Sequence, residues 1–315
     1  MRTVSLEVRP ASPYDLAHTA EYLTYSRGRY VADAFEQGTY RRLLDLADRF
    51  AMASVRSEGS VESPLLAVEI EGDGLDPAVV PEARRQLERI LGTENRLASF
   101  YSAAESDSLL APVVRAFRGL HIPQAASVFE ALILAILAQQ ISIQVAHTLR
   151  TRLVQTYGAA SELHGTVYYA FPRPEELAAT GRDALRALGF GAGKAECIVD
   201  IAERVARGDL DLERLRTRPS EEAVVTLTGI RGVGPWTAQW LLIRALGRRD
   251  GFPSEDLALR SFLGKLVNGG VRMSSREALD YSRRWSPHRS YVTTYLFAAA
   301  RSGRLDALKP AQVGP

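Results

Sequence analysis

The chain has 315 residues, of which 46% are hydrophobic and 24% charged. This composition is typical of a globular protein with two or three compact units. The longest purely apolar run, residues 131–138, is too short to cross a bilayer, and the first residues lack the apolar core of a secretory signal. We therefore expect a cytoplasmic protein with no membrane partner.

The cysteine and histidine content limits the cofactors. A single cysteine, Cys197, excludes an internal disulfide and an iron-sulfur cluster held by four cysteines. The five histidines show no spacing typical of a metal site, so we expect no tightly bound metal. The net charge of +2 is weak support for an anionic partner, because the location of charge matters more than its total.

The first hundred residues predict an α+β domain. Residues 4–8 and 66–70 alternate apolar and polar side chains, as half-buried antiparallel strands do. Residues 39–46 and 50–55 can supply further strands between turn-forming segments. Helices are expected at residues 15–23 and 81–91, the second with Pro81 in its first turn.

After residue 100 the apolar spacing is almost entirely helical, with breaks at glycine and proline clusters. The predicted fold class is therefore α+β, with an N-terminal antiparallel-sheet and helix module (residues 1–100) followed by an all-α region. We expect two domains in the all-α region. One comprises residues 101–123 and 248–315, and the other comprises residues 124–247.

Residues 227–238 predict a helix, a tight hairpin and a second helix. Ser220 is a plausible cap for the first helix, Gly229 can end it in the left-handed conformation, and Pro235 suits the start of the second. Gly232 and Gly234 let the backbone approach another molecule closely, and the second helix offers free N–H groups to an anion such as a DNA phosphate. The alternative is a turn that only connects two helices.

An acid follows the hairpin. Ser254 is a plausible N-cap for the next helix, and Asp256 shares a face with the apolar residues Leu259 and Leu263. One interpretation is that Asp256 only caps the helix. The other is an ionised acid at a pocket, where it stabilises positive charge that develops on a substrate. The sequence leaves both open.

Aromatic residues surround these motifs in the sequence. Trp236 and Trp240 are one helical turn apart, and the C-terminal helix carries Tyr291, Tyr295 and Phe297. Each residue alone is explained by core packing. Their coincidence with the hairpin favours a pocket in which a base can stack.

Together these residues resemble the helix-hairpin-helix DNA glycosylases, most closely the bacterial 3-methyladenine DNA glycosylase II group. The resemblance covers nearly the whole chain and is weakest within residues 25–100. It rests on five segments in the family's order, namely residues 129–142, 171–174, 227–238, 256–260 and 285–291.

The resemblance implies a role for each matching position. Asp256 matches the catalytic aspartate, twenty residues after Trp236. Trp236, Trp240 and Phe297 would line the base pocket. The implied DNA contacts are made by Gln139, Gln140, Arg231, Gly232, Val233, Gly234 and Thr237.

Within this set the hairpin amides would hold a phosphate, often through Na⁺ or K⁺ at the backbone of Gly232 and Gly234. Gln140 falls at the wedge that enters the minor groove. Arg231 replaces the usual hairpin proline, and either adds a phosphate contact or leaves the turn less stiff.

One position separates the branches of this family. Relatives that also nick the strand carry a lysine two residues after the second glycine of the turn, where this chain has Trp236. An indole cannot form a Schiff base with the sugar, so a monofunctional enzyme with water as nucleophile is expected.

The implied function is base excision repair, in which the enzyme flips alkylated purines such as 3-methyladenine and 7-methylguanine out of duplex DNA and releases them. The partner would be alkylated double-stranded DNA. The resemblance further implies no cofactor beyond that cation, and a monomer in the bacterial cytoplasm, associated with the nucleoid. The alternatives are an oxidised-purine glycosylase and a non-catalytic binder of damaged DNA.

Overall fold

The computed structural model describes residues 2–24, 33–47, 49–163 and 165–305. It begins with a five-stranded antiparallel sheet in the order β1-β5-β4-β3-β2. The strands are β1 Arg2–Val8, β2 Asp33–Glu36, β3 Thr39–Asp45, β4 Phe50–Ser57 and β5 Leu66–Gly72. The four predicted strands are confirmed, two of them from apolar alternation and two from their position between turn-forming segments, and β2 is an addition at one edge.

Strand register follows the hydrophobic pattern. Val4 pairs with Ile70 and Leu6 with Val68, so apolar side chains share one face. Two helices, α1 Leu16–Thr24 and α2 Val80–Ile90, belong to the same module. They bury side chains such as Leu87 and Ile90 with the sheet in a single core.

The rest of the chain is mainly helical, as predicted. The first helices are α3 Ala98–Glu105, α4 Leu110–Ala116, α5 Val128–Ala138, α6 Ile143–Tyr157, α7 Pro174–Thr180, α8 Arg182–Ala187 and α9 Ala192–Ala206. They are followed by α10 Ser220–Thr228, α11 Pro235–Arg244, α12 Leu257–Val267, α13 Ser275–Ser282 and α14 Arg289–Arg301.

An all-α description of this region needs one correction. Strands β6 Ala160–Leu163 and β7 Thr166–Tyr169 form an antiparallel pair between α6 and α7. Residues 166–169 are β-branched or aromatic, which favours a strand. Tyr168 and Leu163 are buried against Leu43 and Met52 of the N-terminal sheet, and this partner could not be read from local periodicity.

Three predicted helix caps were wrong, although α10 begins at Ser220 and ends just before Gly229 as predicted. Ser220 is the first residue of α10 and makes no capping bond, and Gly229 has φ −75°, so that helix does not end in the left-handed conformation. Helix α12 begins after Asp256, whose own side chain is the N-cap in place of Ser254.

The buried apolar residues form three main clusters. One lies in the N-terminal module, one is built from α5 to α11, and one combines residues 97–122 with residues 243–305 and Tyr22. We keep the division into three domains as a proposal, which these clusters support. Helix α5 passes through the centre of the second cluster and is buried around most of its surface.

Candidate active site

The hairpin between α10 and α11 requires glycine at one position and leaves space at another. Gly232 has φ +83°, and a Cβ there would lie 2.8 Å from the Sγ of Cys197, so a side chain is excluded by conformation and by space. A Cβ at Gly234 would meet nothing within 4 Å. Gly234 precedes α11, whose first N–H groups have no intrahelical acceptor. This open side of the turn can therefore receive an anion.

A second loop lies against the hairpin. The side-chain amide of Gln139, directly after α5, donates to the carbonyl of Gly232 at 2.9 Å and to the hydroxyl of Thr237 at 3.0 Å. Lys194 donates to the carbonyls of Leu137 at 2.8 Å and Gln139 at 2.5 Å. Two side chains thus fix this loop to its surroundings.

Gln140 occupies the tip of that loop. Its φ is +55°, an uncommon conformation for a residue other than glycine, and its side chain is exposed. The structure therefore presents Gln140 outward beside the hairpin, whereas Gln139 is engaged with the hairpin itself.

Asp256 accepts four hydrogen bonds. One carboxylate oxygen receives the backbone N–H groups of Ala258 and Leu259, both at 3.0 Å. The other receives the indole N–H of Trp236 at 2.9 Å and that of Trp240 at 3.1 Å. The capping interpretation and the pocket interpretation both hold, because one oxygen caps α12 and the other faces the tryptophans.

The acid borders an open cavity of about 340 Å³ whose wall includes Trp236 and Trp240. This volume is within the range of small-ligand pockets. Asp256 is only 9% exposed, so water competes little for its remaining acceptor capacity. The hairpin and Asp256 therefore lie at the two ends of one short stretch of the sequence, and the cavity lies beside Asp256.

The C-terminal aromatic residues contribute differently from the expectation. The cavity wall does not include Phe297, which lies against Trp240 in an edge-to-face contact with ring centres 5.2 Å apart. Phe297 therefore supports the pocket from behind. Tyr291 and Tyr295 are buried in the core, as the packing alternative predicted.

Arg231 lies exposed on the hairpin, where it pairs with Glu196 at 2.9 Å. Neither side chain is enclosed, so this ion pair contributes little stability. The guanidinium can exchange the carboxylate for a phosphate at small cost. The position is thus compatible with DNA contact, although it is paired in the free protein.

The hairpin carbonyls fit a monovalent cation. The carbonyl of Gly232 accepts one bond from Gln139 and that of Gly234 accepts one from the Ala238 N–H, so each oxygen keeps a second lone pair. In the part of the chain that the structure describes, no group of three or more histidine, cysteine or carboxylate side chains could hold a metal. Among the same residues, no helix is long and apolar enough to span a membrane.

This geometry agrees with the comparisons with known proteins. The model of the HhH-GPD superfamily of base excision DNA repair proteins matches residues 133–286. A DNA-3-methyladenine glycosylase of Bacillus subtilis (strain 168) is 34% identical over 204 residues, which are 65% of this chain and 67% of the relative. A putative DNA-3-methyladenine glycosylase of the same organism is 30% identical over 216 residues, 69% of this chain and 74% of that relative.

A solved structure extends the similarity to nearly the full length. The 3-methyladenine DNA glycosylase from Archaeoglobus fulgidus has a TM-score of 0.81 and 28% identity, with 94% of this chain and 98% of the other covered. The chain belongs to the HhH-GPD superfamily. It is a DNA glycosylase of base excision repair, and DNA is its partner.

The glycosylase pocket also contains residues that sequence reasoning missed. Tyr22 from α1, Asp33 from β2 and Arg42 from β3 join the wall, as do Arg244 and Arg301. Arg244 could have been found, because it continues the four-residue spacing of Trp236 and Trp240 along α11. The N-terminal residues gave no local signal, because only the tertiary fold brings them to the hairpin.

Part of that wall is a buried ion-pair network. Arg42 donates to Asp33 at 2.8 Å and to Glu130 of α5 at 2.9 Å, and the three side chains are between 4% and 7% exposed. Tyr40 also donates to Asp33. Burial alone would raise the pKa of Asp33, but Arg42 and the Tyr40 hydroxyl bring it below its ordinary value. The network joins the N-terminal sheet to the helical region beside the cavity.

Proposed function

We propose that this glycosylase hydrolytically releases alkylated purines, of the 3-methyladenine and 7-methylguanine type, from duplex DNA. The observation that supports this proposal most strongly is the position of Asp256. Its carboxylate is nearly buried and accepts hydrogen bonds from four donors. It borders an open cavity whose wall includes two indole rings. The names of the B. subtilis and A. fulgidus proteins support the alkylpurine class.

Asp256 would act on the sugar. Alkylation at N3 or N7 makes the purine a cationic leaving group, so departure of the base needs little acid catalysis. Positive charge then develops on the sugar, and a preorganised carboxylate stabilises that charge in a site with little water. The two indole bonds and the two backbone bonds hold the carboxylate in place before the reaction starts.

Trp236 and Trp240 would receive the extruded base. Both indole N–H groups are directed at Asp256, which fixes the orientation of both rings at the cavity. A π-face attracts an electron-poor, cationic base with an energy of roughly 0.5 to 2 kcal/mol. This modest preference suits an enzyme that accepts several alkylated purines, and Phe297 contributes by holding Trp240.

The reaction would end at an abasic site without strand cleavage. The lyase branch needs an amine at the position of Trp236, and the indole nitrogen here donates to Asp256. Such a nitrogen has no basic lone pair with which to attack the sugar. Water is therefore the proposed nucleophile.

DNA would be held at the open side of the hairpin. The amides near Gly232 and Gly234 would bind a phosphate, with Na⁺ or K⁺ at the carbonyls able to bridge the two, whereas the Val233 amide donates to the carbonyl of Ile230 at 3.0 Å. Gln140, exposed on its strained loop, would enter the minor groove where the damaged nucleotide leaves the stack. We expect the protein to act as a monomer.

The direct test is product analysis with duplexes that carry either 3-methyladenine or 7-methylguanine. Chromatography should detect the free base, and the labelled strand should break only after alkali treatment. Strand breakage without alkali would contradict the monofunctional mechanism. No release of either base, with release of 8-oxoguanine instead, would replace the proposed substrate class. DNA binding without release of any base would leave only a damage-binding role.

A further inference from the structure

Arg244 extends the row of pocket residues on α11. Trp236, Trp240 and Arg244 are spaced by four residues, so their side chains leave the same face of the helix. All three line the cavity that Asp256 borders. At 1.5 Å per residue, Arg244 lies about 6 Å beyond Trp240 along the helix axis. A base that contacts the tryptophans can therefore reach the guanidinium.

One nitrogen of the Arg244 guanidinium is buried without an acceptor in the described part of the chain. Its Nη1 is fully enclosed and has no partner among the described residues. The guanidinium carbon lies 5.2 Å from the centre of the Tyr22 ring. Burial lowers the pKa of Arg244, a sign that the cation is short of water. A buried donor without an acceptor is costly and indicates a group that waits for a ligand.

Tyr22 places a second polar group at the same wall. Its side chain is 4% exposed, and its hydroxyl is buried without a hydrogen-bond partner in the described part of the chain. The nearby acid, Asp33, is already engaged by Arg42 and Tyr40. Within the described ranges, the Nη1 of Arg244 and the hydroxyl of Tyr22 therefore have no acceptor at this end of the cavity.

We propose that Arg244, with the hydroxyl of Tyr22 beside it, is a specificity-determining residue that donates hydrogen bonds to a carbonyl oxygen on the extruded base. A guanidinium carries only donors, so it pairs with a carbonyl and cannot pair with an exocyclic amino group. The inference rests on the proposed function, because it concerns which bases the same cavity prefers.

The two alkylpurines separate this effect from charge. 7-Methylguanine and 3-methyladenine in DNA both carry a positive charge, but at C6 the first presents a carbonyl oxygen and the second an amino group. Repulsion from Arg244 affects both bases in the same direction. The ratio of their release rates therefore reports the hydrogen bond more directly than either rate alone, and the charge-conserving variant Arg244→Lys controls for repulsion.

The experiment measures single-turnover release of 7-methylguanine and of 3-methyladenine from otherwise identical duplexes. Arg244→Met removes the donors and keeps an apolar stem. We expect the ratio of 7-methylguanine to 3-methyladenine release to fall at least about tenfold, as is typical when a hydrogen bond to a charged group is lost. Equal loss of both activities, or an unchanged ratio, would overturn the inference and reduce Arg244 to a packing role.

Two further variants complete the test. Arg244→Lys keeps the charge and loses the planar guanidinium, so the ratio of 7-methylguanine to 3-methyladenine release should also fall. If Arg244→Met does not fold, the ratio measured for Arg244→Lys tests the inference. Arg276→Met is the control, since that side chain is 93% exposed, and it should leave the ratio unchanged. Release of neither base by the wild-type protein would overturn the proposed function together with the inference, whereas an unaltered ratio overturns the inference alone.

Discussion

At the scale of single residues, Arg42 connects two carboxylates from different parts of the chain. It pairs with Asp33 in the N-terminal sheet and with Glu130 in α5. Removal of one member of a buried ion pair leaves an uncompensated charge, which typically costs about 3 to 5 kcal/mol. The pairing therefore helps to hold the sheet against α5 beside the cavity.

The contribution of Asp33 should depend on pH. Its pKa in the folded protein lies below the ordinary 3.8, so its stabilising effect is complete above that value and is lost as the pH falls through the lowered pKa. We expect Asp33→Asn to reduce the free energy of unfolding by about 3 kcal/mol near pH 7. Denaturant titrations should show this difference from wild type shrinking below roughly pH 4.

The matched control is Asp183→Asn, because the side chain of Asp183 is 97% exposed in its pair with Arg186. This substitution should change the stability by less than about 1 kcal/mol at any pH. If Asp33→Asn reduces the free energy of unfolding by the same amount in acid and at neutral pH, the charge of Asp33 does not have the stabilising role given to it.

Some residues of the candidate site could be predicted from the sequence, and others could not. Asp256, Trp236 and Trp240 were predicted because they lie within one segment with helical spacing and a glycine turn. Their hydrogen bonds could not be predicted, because the sequence explains Asp256 equally well as a helix cap and as a pocket acid, and only the three-dimensional structure shows that both apply. Phe297 was placed in the pocket wall because it is an aromatic residue of the C-terminal helix, and its contact with Trp240 depends on tertiary packing that the sequence does not show.

At the scale of elements, the loop after α5 depends on a lysine from α9. Lys194 donates to the carbonyls of Leu137 and Gln139, which are among the last four carbonyls of that helix region and lack helical partners. Burial lowers the pKa of Lys194, as expected for an ammonium group held against backbone. This contact positions Gln139 against the hairpin and Gln140 toward the proposed DNA-binding side.

Lys194→Met should weaken binding of duplex DNA more than it slows base release from bound DNA. The loop would lose its anchor, while Asp256 and its four donors stay in place. We expect the Kd for duplex DNA to rise about tenfold, with a smaller change in the single-turnover rate at saturating enzyme. Lys265→Met is the control, since it removes the same charge from an exposed site on α12. Equal effects of the two substitutions would show that charge alone matters.

The elements that sequence patterns missed are those that depend on tertiary partners. The pair β6 and β7 is short and lies in a mainly helical region, and Tyr168 is buried by the N-terminal sheet rather than by its neighbours in sequence. Strand β2 is a four-residue edge strand that, among the described strands, pairs with β3. Longer elements with a regular apolar period, such as β1, β5 and α2, were predicted nearly to their ends.

At the scale of the whole molecule, the cavity brings together distant parts of the chain. Tyr22 and Arg42 come from the N-terminal module, Trp236 and Arg244 from α11, and Asp256 from the start of α12. The segment from 227 to 260 was predicted as the centre of the site because hairpin and acid are close in sequence. The opposite wall was not predicted, because local periodicity carries no information on which modules meet.

The central claim is that the charge of Asp256 drives base release. Asn remains a good N-cap, so Asp256→Asn keeps much of the helix start and removes the negative charge. Single-turnover release of 3-methyladenine and 7-methylguanine should fall at least about a hundredfold, the range found when one preorganised electrostatic group is removed. Glu255→Gln, at the exposed neighbouring position, should stay near the wild-type rate. Release by Asp256→Asn at the wild-type rate, with DNA binding unchanged, would contradict the claim.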